Sequence, residues 1–339
     1  MSERLTTGKR GFFISLGLSL AALVVVLIFT VDEHTISSML QLHPGYLAAA
    51  FFMVVLLWLV EGLRIKVLAW MLDCRQPLPW RQAVNVFLVS FFFSGVTPLA
   101  VGEMPALVYG LTRRGISAGK AAAVALVRAF LTKCTSVLSA AFLLFMGGRF
   151  VTAGMPYFRL FRGVFWLAGV SLLLYLLLIC CAGHVVVALN RLFGLPCLQK
   201  LCYRKPKVKK WFDGFCAEAG RFRETVAHIN RRRLPLVLLP FFLTVLYWGL
   251  YYSVAPVLLA GFGVQAPFGT AVMWQILIIL VLPYIPVPGG SGAVEFGLAT
   301  LFSSFVPASV LGVFIVAWRF FTYYLTLICG AVLAFRFKK

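Results

Sequence analysis

The chain has 339 residues, 62% hydrophobic and 12% charged, with 31 Lys and Arg against 10 Asp and Glu for a formal net charge of +21. Soluble domains average about 45–50% apolar and about 25% charged residues, so a water-soluble or disordered chain is excluded. A surplus of this sign would point to nucleic acid in a soluble protein, but here the basic residues stand between long apolar runs, and the membrane reading takes precedence.

A transmembrane helix needs about 20 predominantly apolar residues, and residues 11–31 supply one directly after Arg4, Lys9 and Arg10. The run is too long for a signal-peptide core of about 7–15 residues, so it reads as a retained first helix with a cytoplasmic N-terminus. The next run, 46–72, carries Glu61 and Arg64 three apart, hence on one face near its cytoplasmic end. With Lys66 they form a candidate secondary mouth for lipid headgroups, although snorkelling to the interface is the plainer account of Lys66. Stretch 83–112 is broken: its arms, 83–96 and 103–112, are shorter than a span and flank Thr97-Pro98-Leu99-Ala100-Val101-Gly102. Pro removes a backbone donor and Gly relaxes the dihedral limits, so the helix stops there. Broken backbone at membrane depth is tolerated only inside protein or beside water, which predicts a re-entrant hairpin with Glu103 just past its tip. Run 117–147 then carries Arg128 and Lys133.

The second half repeats this order with 163–189, 235–260, a broken stretch 268–305, and 308–335, which holds Arg319. Segment 190–234 interrupts it with twelve Lys and Arg, and within it 208–229 has apolar residues at helical spacing, predicting an amphipathic helix on the cytoplasmic leaflet. In the second broken stretch, Pro286-Val287-Pro288-Gly289-Gly290-Ser291-Gly292-Ala293-Val294-Glu295 has three glycines in four positions. Their N–H groups can converge on one point ahead of a half-helix, an arrangement suited to an anion such as a lipid phosphate. A tight turn that needs small residues for close helix packing is the alternative.

If both broken stretches turn back on their own side, 25 of the 31 basic residues are cytoplasmic, Arg149, Arg159 and Arg162 are outside, and Arg128, Lys133 and Arg319 lie within the membrane. Both termini are then cytoplasmic. Glu103 precedes Arg128 by 25 residues and Glu295 precedes Arg319 by 24, so the halves read as an inverted repeat. The expected fold is an all-α polytopic membrane protein with about six full transmembrane helices and two re-entrant hairpins. Residues 1–147 form the first repeat, 148–189 open the second, 190–234 form the basic cytoplasmic segment, and 235–339 complete the second repeat.

Glu103, Glu295, Arg128 and Arg319 are the intramembrane ionisable set. Such charges cost about 2.5–3.5 kcal/mol each at a helix centre on insertion scales, so each needs a partner or a wet cavity. One account pairs each Glu with one Arg to hold the halves together. A sharper one lets an Arg leave its carboxylate for a phosphate, which it matches bidentately. The eight cysteines form no C-x-x-C pair, the histidines no H-x-x-x-H cluster and the aspartates no D-x-D pair, and no P-loop occurs. The thiols therefore read as reduced and structural, no metal or cofactor is expected, and no nucleophile–base pair supports an enzyme.

Thr97-Pro98-x-x-x-Gly102-Glu103, Gly115, Arg128 in the next helix, and Pro286-x-Pro288-Gly289-Gly290-Ser291-Gly292-x-x-Glu295 with Arg319 resemble, as a set, the lysylphosphatidylglycerol synthase transmembrane-region family. The resemblance covers essentially the whole chain. It implies a flippase-like function in a bacterial inner membrane, moving an anionic or aminoacylated phospholipid or a polyprenyl-phosphate-type lipid between leaflets. Thr97, Pro98, Gly102, Glu103, Arg128, Pro288, Gly289, Gly290, Ser291, Gly292, Glu295 and Arg319 are the expected transport residues. Bifunctional members carry a soluble C-terminal aminoacyl-transferase domain. The chain ends at Lys339 without one, so lipid aminoacylation is not expected. Membrane phospholipids are the expected partners and a homodimer is an admissible assembly. A non-transporting scaffold that presents lipid to a separate lipid- or glycan-modifying enzyme is the alternative function.

Overall fold

The computed structural model describes residues 43–72, 78–147, 156–180, parts of 217–224, and 234–336. The expected first helix, 11–31, and most of the basic segment 190–234 lie outside the described residues.

Ten α-helices and no strand are found among the described residues. α1 (Pro44–Met71) opens on a proline, whose missing N–H would have no helical acceptor in the first turn anyway. Its 28 residues extend about 42 Å at 1.5 Å per residue, enough to cross a hydrocarbon core of about 30 Å. α2 (Trp80–Val96), a 3-10 turn (Pro98–Ala100) and α3 (Glu103–Thr112) form the first broken stretch, split where Pro98 and Gly102 predict. α4 (Ala118–Gly147) follows, then α5 (Pro156–Cys180) and α6 (Leu238–Gly261). The second broken stretch consists of α7 (Phe268–Val281), 3-10 turns at Leu282–Tyr284 and Pro288–Gly290, and α8 (Ala293–Phe302). α2 has 17 residues, α7 has 14, and α3 and α8 have 10 each. These amount to about 26, 21 and 15 Å, so none of the four alone spans the hydrocarbon.

Four helices among the described residues are long and apolar enough to cross a membrane: α1, α4, α6, and the final helix Ala308–Arg336. α5 contributes a shorter apolar run, Arg162–Leu177. Two expectations are corrected. Arg159 and Arg162, assigned to an outside loop 148–162, lie within α5, because the helix begins seven residues before the fully apolar part of its sequence. The last helix, expected to be continuous, is α9 (Ala308–Arg319) and α10 (Leu325–Arg336) joined by a π turn at Phe320–Tyr324. The described residues among 217–224 are helical, as the amphipathic pattern of 208–229 requires.

Glycines set how closely the helices approach. A Cβ on Gly62 of α1 would stand 2.4 Å from Val84 Cγ2 of α2, and one on Gly330 of α10 would stand 2.2 Å from the Leu88 carbonyl oxygen. α2 is thereby enclosed by α1, α3 and α10. Between helices in lipid, close van der Waals packing of this kind replaces the hydrophobic drive available in water. Large apolar side chains point outward instead: Phe52, Trp166 and Phe296 are each about 70% exposed. On a soluble surface they would form an unsupported apolar patch, but against acyl chains they are solvated.

The helix pairings recur between the halves. α1 runs along α6, α1 packs on α2 as α6 does on α7, and α3 packs on α4 as α8 does on α9. α2 meets α10 as α7 meets α4, and the two 3-10 tips, Pro98–Ala100 and Pro288–Gly290, touch each other. Their backbones match residue by residue. Thr97 and Val287 are extended at φ −114° and −115°, and Leu99 and Gly289 are left-handed at φ 55° and 63°.

Candidate functional site

Directly behind the first tip, three helices bring charges together. Arg128, on α4, donates from Nε to Glu61 Oε1 at 2.5 Å and from Nη1 to Glu103 Oε1 at 2.6 Å. Glu61 comes from the middle of α1 and Glu103 is the first residue of α3, where the helix dipole favours a carboxylate. Arg64 completes the cluster with an ion pair from Nη2 to Glu61 Oε1 at 3.2 Å. Its Nη1 and Nη2 also donate to Thr244 Oγ1 of α6 and Thr132 Oγ1 of α4, so one guanidinium ties three helices. Two acids balance two cations.

Glu61 and Arg64 were expected to stand apart as a cytoplasmic mouth. The structure corrects this: both side chains are 2% exposed or less and belong to the Arg128 cluster. Their i, i+3 spacing does put them on one face, but that face looks inward. Glu61 is thus the partner that sequence reasoning missed. The available signal was that it is the only acid in run 46–72.

Behind the second tip, Glu295 on α8 accepts from Arg319 Nε at 2.9 Å, and the other carboxylate oxygen accepts from Gly292 N at 2.8 Å. One side chain thereby caps the half-helix and neutralises the arginine. Arg319, the last residue of α9, also donates to the Gly289 carbonyl at 3.3 Å and lies over the Tyr323 ring, 4.4 Å from its centroid. Tyr323 in turn donates to the Gly95 carbonyl of α2 at 3.1 Å, which links the second tip to the first hairpin.

The glycine-rich tip does not present a free nest of donors. Gly290 N bonds Val287 O, Ser291 N bonds Pro288 O, and Gly292 N is taken by Glu295. Ser291 Oγ donates to Pro288 O as well. The expectation that these N–H groups converge on an anion therefore gives way to the packing role. A Cβ on Gly289 would fall 2.0 Å from Tyr323 Oη, and one on Gly290 would fall 2.1 Å from Leu282 Cδ1. At the first tip Thr97 Oγ1 donates to Phe93 O and accepts from Gly102 N, so a hydroxyl holds the glycine N–H that a carboxylate, Glu295, holds at the second. Pro98 and Pro288 each open a 3-10 turn, fixing φ at the same step of both breaks.

The two ion sites differ in access. Glu295 and Arg319 are sealed at 0% and 3% side-chain exposure, whereas Glu103 is 33% exposed and Arg128 12%. Glu103 is the one carboxylate of the set that an incoming group can displace without first opening the protein.

A family model, the lysylphosphatidylglycerol synthase TM region, matches residues 12–330. A UPF0104 membrane protein of Archaeoglobus fulgidus is 26% identical over 324 residues, covering 93% of each chain. No solved structure matches. The match spans both hairpins and every ion pair described above, and the chain belongs to the lysylphosphatidylglycerol synthase transmembrane-region family.

Proposed function

We propose that the protein is a lipid flippase or scramblase of the bacterial inner membrane, built from two inverted halves whose broken helices are re-entrant. It passes the phosphate-bearing headgroup of an anionic or aminoacylated phospholipid, or of a polyprenyl-phosphate-type lipid, through a polar midplane while the acyl chains stay in lipid. The observation that carries this reading is Arg128, held by a buried carboxylate on one side and by the part-exposed Glu103 on the other. A lipid phosphate takes the place of Glu103 on the guanidinium, and Glu61 keeps the cation neutralised during the exchange. The short arms, the touching tips and the outward apolar side chains support the same reading, because discontinuous helices meeting at a repeat interface are where many transporters bind substrate.

Reconstitution into liposomes with fluorescent phospholipids tests it. Wild-type protein is expected to move labelled headgroups faster than empty vesicles, and Glu103→Ala with Arg128→Ala to lose most of that rate. Movement equal to empty vesicles, or a double variant as fast as wild type, overturns the proposal.

A further inference from the structure

Three of the buried or half-buried cations have carboxylates: Arg64 pairs with Glu61, Arg128 with Glu61 and Glu103, and Arg319 with Glu295. Lys133 does not. It stands at the midpoint of α4, partly buried, and no Asp or Glu among the described residues pairs with it. Its contacts are with Tyr284: Nζ donates to Oη at 3.4 Å and lies 4.9 Å from the ring centroid. Tyr284 Oη is 3.2 Å from Ser171 Oγ on α5, and Ser171 donates its own proton to the Ala168 carbonyl at 2.8 Å. The protons therefore run one way, from Lys133 to Tyr284 to Ser171 to the backbone. An ammonium has three donors, and this chain uses one of them.

A π face and a hydroxyl orient the ammonium but leave its charge uncompensated, and a lone cation at this depth is costly. The position is also connected to the exchange site. The Pro98–Ala100 tip touches the Leu282–Tyr284 turn. Lys133 is five residues past Arg128, about 7.5 Å further along the helix and about 140° around it, so the two cations face different neighbours.

We propose that Lys133, held by Tyr284 and Ser171, is a second anion-binding position that takes the phosphate of a lipid headgroup. It rests on the transport reading only for the lipid origin of that phosphate. Loaded, the position is neutral. Unloaded, Lys133 has no carboxylate among the described residues to compensate it.

The test uses the full chain, purified and folded as judged by its melting midpoint, with retained lipid read by native mass spectrometry. Wild type is expected to keep phosphatidylglycerol over phosphatidylcholine by about tenfold. Lys133→Gln should lose that preference and Lys133→Arg should keep it. Ser171→Asp supplies an internal anion in place of the lipid, so it should fold at least as well as wild type and lose phosphatidylglycerol. Retention of the preference in Lys133→Gln or in Ser171→Asp overturns the proposal. An inorganic phosphate arm separates the sources: a midpoint raised by the lipid and not by phosphate assigns the headgroup, and one raised by phosphate alone overturns the lipid assignment. Liposome transport by wild type with unchanged lipid retention in Lys133→Gln removes this position and leaves the transport reading. Lys133-dependent retention without transport does the reverse.

Discussion

Arg128 reaches two carboxylates on two different helices with two of its five N–H donors, which a lysine, a single compact charge, does not reproduce. Arg128→Lys is therefore expected to slow liposome transport at least tenfold, and an unchanged rate would show that charge alone suffices. The two acids should also separate by stability. Removing one partner of a fully buried pair costs about 3–5 kcal/mol, so Glu61→Gln is expected to lower the denaturation midpoint severely. Glu103→Gln, at 33% exposure, keeps water as a substitute partner and should cost about 1 kcal/mol or less. Equal losses would contradict the assignment of Glu61 as the fixed partner and Glu103 as the exchangeable one. The Glu103–Arg128 and Glu295–Arg319 pairs are legible in the sequence because their spacing recurs and each joins a hairpin to the next helix. Glu61 is 67 residues from Arg128, with nothing local to tie the two, and only the packing of α1 on α4 brings them together.

The hairpin tips show the same backbone written in two chemistries. Gly289 and Gly290 take left-handed φ freely, but Leu99 and Ala100 adopt φ 55° as L-residues, at about 1–2 kcal/mol each. Leu99 is 47% exposed, so its side chain offers little burial in return. Leu99→Asn, which tolerates the left-handed region, is expected to raise the melting midpoint by the equivalent of about 1 kcal/mol, and a lowered midpoint would mean that the leucine is held by lipid contact. Gly289→Ala should do the opposite, because its Cβ would land on the Tyr323 hydroxyl. Loss of the Tyr323–Gly95 bond then adds about 1 kcal/mol, which Tyr323→Phe measures alone. Both breaks are legible because Pro and Gly announce them. The use of the turn's N–H groups is not, since both tips close them on the carbonyls of residues 97 and 98 or 287 and 288, with or without the extra glycines of the second tip.

At the scale of the whole molecule, the exchange of equivalent helices between the halves makes a topological claim. The proposed re-entrant course of both broken stretches would leave both chain ends on the cytoplasmic side, so a C-terminal reporter is expected there, and one found outside would require one broken stretch to cross. Long apolar runs and basic loops carry this level of organisation in the open. The π turn does not appear in them, because Phe320-Phe321-Thr322-Tyr323-Tyr324 contains neither Pro nor Gly. Its consequence is one of phase. A π turn holds one residue more than the α-helix it interrupts, so α10 is rotated by about 100° relative to the course α9 would have followed. Up to Arg319 the last helix keeps step with α4 and its Arg128. Beyond Tyr324 the two sequences are out of step by one, and Lys133, five residues past its arginine, has no charged counterpart at the same count in the other half. The pseudo-symmetry of the protein thus relates Glu103–Arg128 to Glu295–Arg319 and goes no further, since α6 carries no charged counterpart of Glu61 or Arg64 and Tyr324 stands at the count of Lys133.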